Sequence, residues 1–173
     1  SETVTGGTGD DVITLGTALT GTVNLGAGTG DRLNLLAGST NSIALTGVEL
    51  LNGGGASVTN EALTLTAAAS GVSIDLGAGT DTLTLGNFTN TVTVSNTETV
   101  TGGTGIDIIT LGAAQASGTI NLGAGVDVLT LAAGGNTLTV SNSETVTGGT
   151  GIDIITLGTA LTGTVNLGAG TGD

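Results

Sequence analysis

Short segments in which aliphatic and small polar residues alternate recur along the whole chain. In a first set the apolar pair is, for example, Ile13 and Leu15, with Thr between them. A second set carries pairs such as Val23 and Leu25, separated by Asn. Alternation with a period of two is typical of β-strands that bury one face. Gly-rich segments separate these strands and no helical periodicity is visible, so the pattern predicts an all-β chain.

The chain repeats itself at two periods. Residues 1–31 recur as residues 143–173 with two differences, Ile152 for Asp10 and Ile154 for Val12. A shorter repeat of 46 to 49 residues is marked by an anchor segment, "ETV" or a variant of it, which begins at Glu2, Glu49, Glu98 and Glu144. The anchors divide one repeat solenoid, residues 1–173, into the units 2–48, 49–97, 98–143 and a partial unit 144–173. We expect the chain to be a window of a longer tandem array.

The spacing of the strands predicts how the chain winds. Members of one strand set recur about every 20 or 26 residues. This spacing predicts a parallel β-solenoid (a β-roll or β-helix) of about seven to eight coils, in which coils of about 20 and about 26 residues alternate. The shorter coil would carry one strand of each set. The longer coil would add the anchor segment, for instance around Val100, as a third and smaller face.

A carboxylate stands immediately before each strand of the first set. These residues are Asp11, Asp31, Glu61, Asp81, Asp107, Asp127, Asp153 and Asp173. If every interval between them is one coil, or one coil with an insertion, all eight lie along a single edge of the solenoid. Like charges about 4.8 Å apart repel each other by roughly 1 kcal/mol even in water. The edge is either solvated or binds cations, and the renewal of an acid in every coil favours cations, of which Ca²⁺ suits oxygen ligands.

The composition narrows the classes of function. Among 173 residues there are 34 Gly, no Cys and no His, and Arg32 is the single basic residue against 14 acids, which gives a net charge of −13. A chain with no basic patch is not expected to bind nucleic acid. Cys/His zinc sites lack their ligands. No uncharged apolar run approaches the roughly 18 residues of a membrane span, and no signal peptide is visible.

The residues before the acids sharpen the calcium interpretation. Residues 6–14, 102–110 and 148–156 fit the pattern G-G-x-G-x-D-x-U-x, in which U is a large aliphatic residue. Residues 76–81 and 122–127 fit a relaxed form that keeps two of the glycines and the aspartate. With these motifs the chain resembles the RTX family, the haemolysin-type calcium-binding nonapeptide repeats.

The resemblance implies a parallel β-roll in which Ca²⁺ is held between adjacent Gly-rich turns by Asp side chains and backbone carbonyls. It also implies secretion, commonly by a type I route, and folding outside the cell. Carried over to this chain, it gives as metal ligands Asp11, Asp31, Asp81, Asp107, Asp127, Asp153 and Asp173. The other edge lacks acids and the turn before Glu61 lacks the Gly pattern, so we expect calcium on one edge only, with a weak or missing site at Glu61. Asp107→Asn should then cost more stability than Glu61→Gln.

Three classes of function remain open from the sequence. The favoured one is a non-enzymatic structural segment of a secreted bacterial cell-surface protein, an adhesin extender or surface-layer (S-layer) building block that stacks on neighbouring repeats or on copies of itself. Thr-x-Thr pairs also resemble ice-binding faces of solenoids, although Asn24, Asp75 and Asn121 interrupt them. A carbohydrate-active β-helix is a remote alternative, because paired carboxylates are present but aromatic platforms for sugars are not. No His, Cys, Lys or Tyr is present to act as a base or nucleophile, so we expect no enzyme activity.

Overall fold

Two parallel β-sheets face each other along the chain and together form a β-solenoid. The computed structural model describes residues 2–173. The backbone passes alternately through the two sheets, each of which has nine strands, so it makes about eight turns. The described residues contain no helix, and therefore none that is long and apolar enough to cross a membrane. The prediction of an all-β parallel solenoid is confirmed.

The two sheets take alternate strands of the chain, and neighbouring strands in each sheet are parallel. Sheet 1 contains β1 (Glu2–Gly7), β3 (Thr20–Gly26), β5 (Thr40–Thr46), β7 (Ala62–Leu65), β9 (Thr82–Thr84), β11 (Thr99–Gly103), β13 (Thr119–Gly123), β15 (Thr137–Ser141) and β17 (Ile154–Leu157). Sheet 2 contains β2 (Val12–Thr14), β4 (Arg32–Asn34), β6 (Leu50–Asn52), β8 (Ser70–Asp75), β10 (Asn90–Ser95), β12 (Asp107–Leu111), β14 (Val128–Thr130), β16 (Thr145–Thr147) and β18 (Thr164–Asn166).

The aliphatic residues that alternate along the strands fill the space between the sheets. Leu33, Ile74, Leu83 and Ile120 are completely buried, whereas most of their polar neighbours are at least partly exposed to solvent. The single aromatic residue, Phe88, is 42% exposed, so the core consists of Leu, Ile, Val and Ala. Each buried Leu or Ile stabilises the fold by about 1.5–3 kcal/mol relative to an exposed one. Every coil thus adds one aliphatic layer to a continuous core.

The length of the coils differs from the prediction. Leu83 pairs with Val100, an offset of 17 residues, and Leu51 pairs with Ile74, an offset of 23 residues. These are the shortest and longest offsets between paired strands, so the predicted alternation of about 20 and about 26 residues is wrong. The anchor segment does not form a third face either. Val100 and Val146 are buried residues of the ordinary strands β11 and β16.

Each complete sequence unit contains an odd number of strands. Unit 49–97 holds β6 to β10 and unit 98–143 holds β11 to β15, which is five strands, or two and a half coils, in each. Equivalent residues of successive units therefore lie in opposite sheets. Val100 is in sheet 1, and Val146, its equivalent 46 residues later, is in sheet 2. Successive units are thus related by a half turn about the solenoid axis.

Candidate metal centre in two buried carboxylate ladders

The turns between the sheets form two edges of the solenoid. We call the turns that lead from sheet 1 to sheet 2 the first edge, and those that lead from sheet 2 to sheet 1 the second edge. The first edge carries Asp11, Asp31, Asp107 and Asp127. The second edge carries Glu61, Asp81, Asp153 and Asp173. The prediction of a single acidic column is therefore wrong, because five strands per unit move each successive pair of acids to the opposite edge.

At each edge the acids are grouped on successive coils. Two acids that precede strands are followed, one coil later, by the Glu of an anchor segment, and we call each such group an acidic triad. The triads are Asp11/Asp31/Glu49 at the first edge, Glu61/Asp81/Glu98 at the second edge and Asp107/Asp127/Glu144 at the first edge, and Asp153 with Asp173 begins a fourth group at the second edge. The three glutamates were not among the predicted ligands, although their recurrence with the anchor is visible in the sequence.

Within a triad, carboxylates accept hydrogen bonds from the backbone of the coil before. The N–H of Asp107 donates to Asp127 Oδ1 at 2.8 Å, and the N–H of Asp127 donates to Glu144 Oε2 at 2.7 Å. The triad that begins at Glu61 repeats both bonds, at 2.7 and 2.8 Å. Hydrogen bonds to ionised groups are stronger than those between neutral groups. The carboxylates of a triad thus provide hydrogen-bond acceptors for N–H groups of the turns that have no partner in a neighbouring strand.

Two of the acidic groups are preceded, one coil earlier, by the neutral side-chain amide of an Asn. Asn90 Nδ2 donates to Asp107 Oδ1 at 2.7 Å, and Asn136 Nδ2 donates to Asp153 Oδ1 at 2.8 Å. The Oδ1 atom of Asn90 in turn accepts the N–H of Ala69 at 3.0 Å. Both amides are fully buried. An Asn side chain thus connects a coil without an acid to the first carboxylate of the next group, and it separates the charges of successive groups on one edge.

Five buried carboxylates have one oxygen with no hydrogen-bond donor among the described residues. These atoms are Glu61 Oε2, Asp81 Oδ2, Asp107 Oδ2, Asp127 Oδ2 and Asp153 Oδ2, in side chains that are at most 1% exposed. Leaving a buried acceptor unsatisfied costs about 1–3 kcal/mol, and more when the group is charged. The triad Asp11/Asp31/Glu49 differs, because Gly7 N–H donates to Asp11 Oδ2 at 2.7 Å and Gly28 N–H donates to Asp31 Oδ2 at 3.1 Å.

Burial opposes the ionisation of Asp81, Asp107 and Asp127. Desolvation raises the pKa of Asp81 to about 6; the N–H of Glu61 opposes the rise, and the charges of Glu61 and Glu98 add to it. Desolvation also raises the pKa of Asp107 and that of Asp127. The carboxylates of a triad therefore interact with one another. Each unpartnered oxygen needs a partner that the chain's own donors do not supply, which a proton, a water molecule or a cation would provide.

The chemistry of the donors fits a hard cation such as Ca²⁺, which binds carboxylate and carbonyl oxygens. Asp107 Oδ2 and the carbonyl oxygen of Leu122, for example, face Gly102 from the same side, so a carbonyl oxygen lies near this carboxylate. Within residues 2–173, no three acidic side chains converge closely enough to hold a metal ion by themselves. Carbonyl oxygens or water would therefore have to complete the coordination. Of the predicted ligands, Asp11 is partly buried, Asp173 is exposed and the other five are buried.

Two glycine positions in the turns have a clear physical reason, and the inward carboxylate explains the first of them. A Cβ atom at Gly102, the first Gly of the nonapeptide motif, would collide with Asp107 Oδ2 and with the carbonyl oxygen of Leu122 on the next coil. Gly123 has a φ of 91°, which L-residues with a side chain rarely adopt. The first Gly of the motif is thus required by the space that the buried carboxylate occupies.

Comparison of the chain with family models, with curated proteins and with solved structures gave no match. The resemblance to RTX repeats therefore rests on the motif and stays a prediction.

Gly102→Ala should lower the free energy of unfolding by about 1–3 kcal/mol, because the added methyl group overpacks the turn against Asp107 and Leu122. Urea denaturation followed by circular dichroism measures this loss. Gly9→Ala is the matched control, since a Cβ atom there has nothing within 4 Å, and it should change the stability by less than about 0.5 kcal/mol. Equal losses in the two variants would contradict this account.

In EDTA, the chain should keep more of its β-signal, and lose it at higher urea concentration, near pH 4 than near pH 7. Folding raises the pKa of Asp81 from 3.8 to about 6, so the folded state holds this proton more tightly than the unfolded state. The resulting stabilisation is complete below the unfolded pKa and is lost as the pH rises through the folded pKa. Asp81→Asn should flatten part of this dependence. A stability that increases steadily from pH 4 to pH 7 would argue against a protonated, buried Asp81.

Proposed function

We propose that the chain is a non-enzymatic structural segment of a secreted bacterial cell-surface repeat protein, and that Ca²⁺ stabilises its solenoid. In this role it extends an adhesin or builds a surface layer. The observation that carries the proposal is the set of buried, unpartnered carboxylate oxygens in a chain with a net charge of −13. A divalent cation would give these oxygens a partner and reduce the repulsion within each triad.

The architecture suits a spacer. Each coil adds about 4.8 Å to the stack, so a unit of two and a half coils adds about 12 Å. Each coil packs mainly on its immediate neighbours, and the length of such a rod can change by whole units without a new core. The outermost strands, β1 and β2 at one end and β17 and β18 at the other, each leave one backbone edge unpaired. Such edges favour stacking onto neighbouring repeats or onto copies of the chain.

The surface supports a role without catalysis. An open groove of about 790 Å³ at the second edge is lined by Asn34, Asn52, Asp75 and Asn96, together with small and aliphatic residues. Of the described residues that line this groove, Asp75 alone is titratable. Glycoside hydrolysis, in contrast, uses two carboxylates on either side of the scissile bond. The paired carboxylates Asp107 and Asp127 are fully buried, out of reach of a polysaccharide.

Circular dichroism during a calcium titration tests the calcium-dependent part of the proposal. At pH 7 in EDTA we expect most of the β-signal to be lost, because the carboxylates within each triad repel one another. Millimolar Ca²⁺ should restore the signal. A titration with NaCl at matched ionic strength is the control that separates simple screening from binding. A β-signal that is complete in EDTA, with a melting temperature that calcium does not change, would refute this part.

The two structural roles differ in what the full-length protein forms on cells. An S-layer building block forms an ordered lattice, whereas an adhesin extender forms thin fibres. Electron microscopy of the cell surface distinguishes them.

One observation favours a second candidate function, ice binding. A column of threonines runs in register along the outer face of sheet 1 through Thr82, Thr99, Thr119, Thr139 and Thr156. The adjacent column contains Thr64, Thr84 and Thr101, but continues as Asn121 and Ser141. Regular hydroxyl groups on a flat parallel sheet resemble ice-binding faces.

Inhibition of ice recrystallisation separates the two functions. If the chain has only a structural role, it should inhibit ice recrystallisation no more than an inert protein does at the same concentration. Inhibition that is abolished by Thr119→Tyr, which would place a bulky ring in the middle of the threonine column, would instead establish ice binding. Thr46→Tyr, outside that column, is the matched control.

A further inference from the structure

The unpartnered carboxylate oxygens occur mainly as pairs on adjacent coils. Glu61 Oε2 and Asp81 Oδ2 form one pair at the second edge, and Asp107 Oδ2 and Asp127 Oδ2 form another at the first edge. In each pair the backbone N–H of the first residue donates to the side chain of the second, at 2.7 and 2.8 Å respectively. The two acids thus occupy the same position on coils about 4.8 Å apart. Two oxygens that bind one Ca²⁺ ion at 2.3–2.6 Å from opposite sides are at most about 5 Å apart.

We propose that each of these two pairs binds one Ca²⁺ ion, so that the sites follow the unpartnered oxygens and not the nonapeptide motif. This inference rests on the proposed calcium role and assigns its ions to Glu61 with Asp81 and to Asp107 with Asp127. Compared with the ligands that the RTX resemblance implies, the assignment adds Glu61, whose turn lacks the motif. It removes Asp11, although that residue ends a complete G-G-x-G-x-D sequence, and with it Asp31.

Backbone donors already satisfy the corresponding oxygens at Asp11 and Asp31. Asp31 Oδ1 accepts the N–H of Asp11 at 2.7 Å, and Asp31 Oδ2 accepts the N–H of Gly28 at 3.1 Å. Asp11 Oδ2 accepts the N–H of Gly7 at 2.7 Å. A cation at these oxygens would compete with N–H groups whose positive ends point at the same lone pairs. The hydrogen bonds that stabilise this pair thus make it a poorer cation site than the other two.

The anchor glutamates complete the charge of the two sites. The charge of Glu98 acts on Asp81, and that of Glu144 acts on Asp127, in both cases opposing ionisation of the aspartate. Each triad therefore presents up to three negative charges to a divalent ion. Glu98 and Glu144 are partly exposed while the pairs beside them are buried. The glutamates, one coil beyond each pair, are thus the members of the triads that solvent reaches.

Calcium binding to the intact chain, measured by isothermal titration calorimetry, tests the assignment. We expect two ions of highest affinity for the unaltered chain. Asp153 with the exposed Asp173 forms an incomplete pair and should bind more weakly. The double variant Glu61→Gln/Asp81→Asn should lose one of the two ions, and Asp107→Asn/Asp127→Asn should lose the other.

Asp11→Asn/Asp31→Asn is the matched control and should keep both ions. It removes the same number of charges from the same position of the coil. Amides reduce the repulsion within a triad, so all three double variants are expected to remain folded in calcium, which circular dichroism verifies. The stoichiometry of the unaltered chain needs no variant and provides an independent measurement.

The outcomes separate this inference from the proposed function. Six or seven equivalent ions per chain, or the loss of a strongly bound ion from Asp11→Asn/Asp31→Asn, would overturn the assignment while leaving the calcium role intact. Retention of both ions by Glu61→Gln/Asp81→Asn would do the same. No calcium binding by the unaltered chain would overturn the proposed calcium role itself, and this inference with it.

Discussion

Tightly wound turns leave backbone N–H groups that the two sheets cannot pair, and in this chain side chains of the next coil accept many of them. The N–H of Asp107 donates to the side chain of Asp127, and the N–H of Asp127 donates to that of Glu144. An acceptor at this position must point inwards, and it therefore becomes buried. Two other properties follow from that requirement: glycine is needed beside the carboxylate, and burial raises the pKa values of acids such as Asp107. A single basic residue, Arg32, stands against 14 acids, so most of these charges have no counter-ion within the chain. The same carboxylates that accept the backbone N–H groups also have oxygens that need a further partner, which a proton, a water molecule or a cation would provide.

The alternation of apolar and polar residues was sufficient to predict the strands and their parallel stacking, because the period of two and the Gly-rich turns both report local geometry. It was not sufficient to predict the phase of the winding. A repeat of 46 residues shows that Val100 and Val146 are equivalent in sequence, but not whether whole coils or half coils separate them. The anchor around Val100 has the same Thr-Val-Thr alternation as any other strand. Counting it as a strand gives five per unit, and with five the acids fall on two edges.

The candidate site shows the same division between local and non-local information. The position of the acids before the strands was visible in the sequence, and five of the seven predicted ligands are buried. The hydrogen-bond state of each carboxylate was not visible. Asp11 and Asp107 end the same six-residue motif, yet Gly7 N–H satisfies Asp11 Oδ2 while Asp107 Oδ2 has no donor. That difference depends on how each turn meets its neighbouring coils, which no single motif encodes.

The odd number of strands per unit has a consequence for how such a protein changes length. A tandem array of this kind changes length by gaining or losing whole units. One added unit turns everything beyond it to the opposite side of the rod, and a second added unit turns it back. Anything carried beyond the array would therefore face one way after an even change and the other way after an odd change. The number of units therefore determines the direction in which a distal domain would point as well as its distance from the base of the rod. A change by one unit would reverse that direction without any substitution within a repeat.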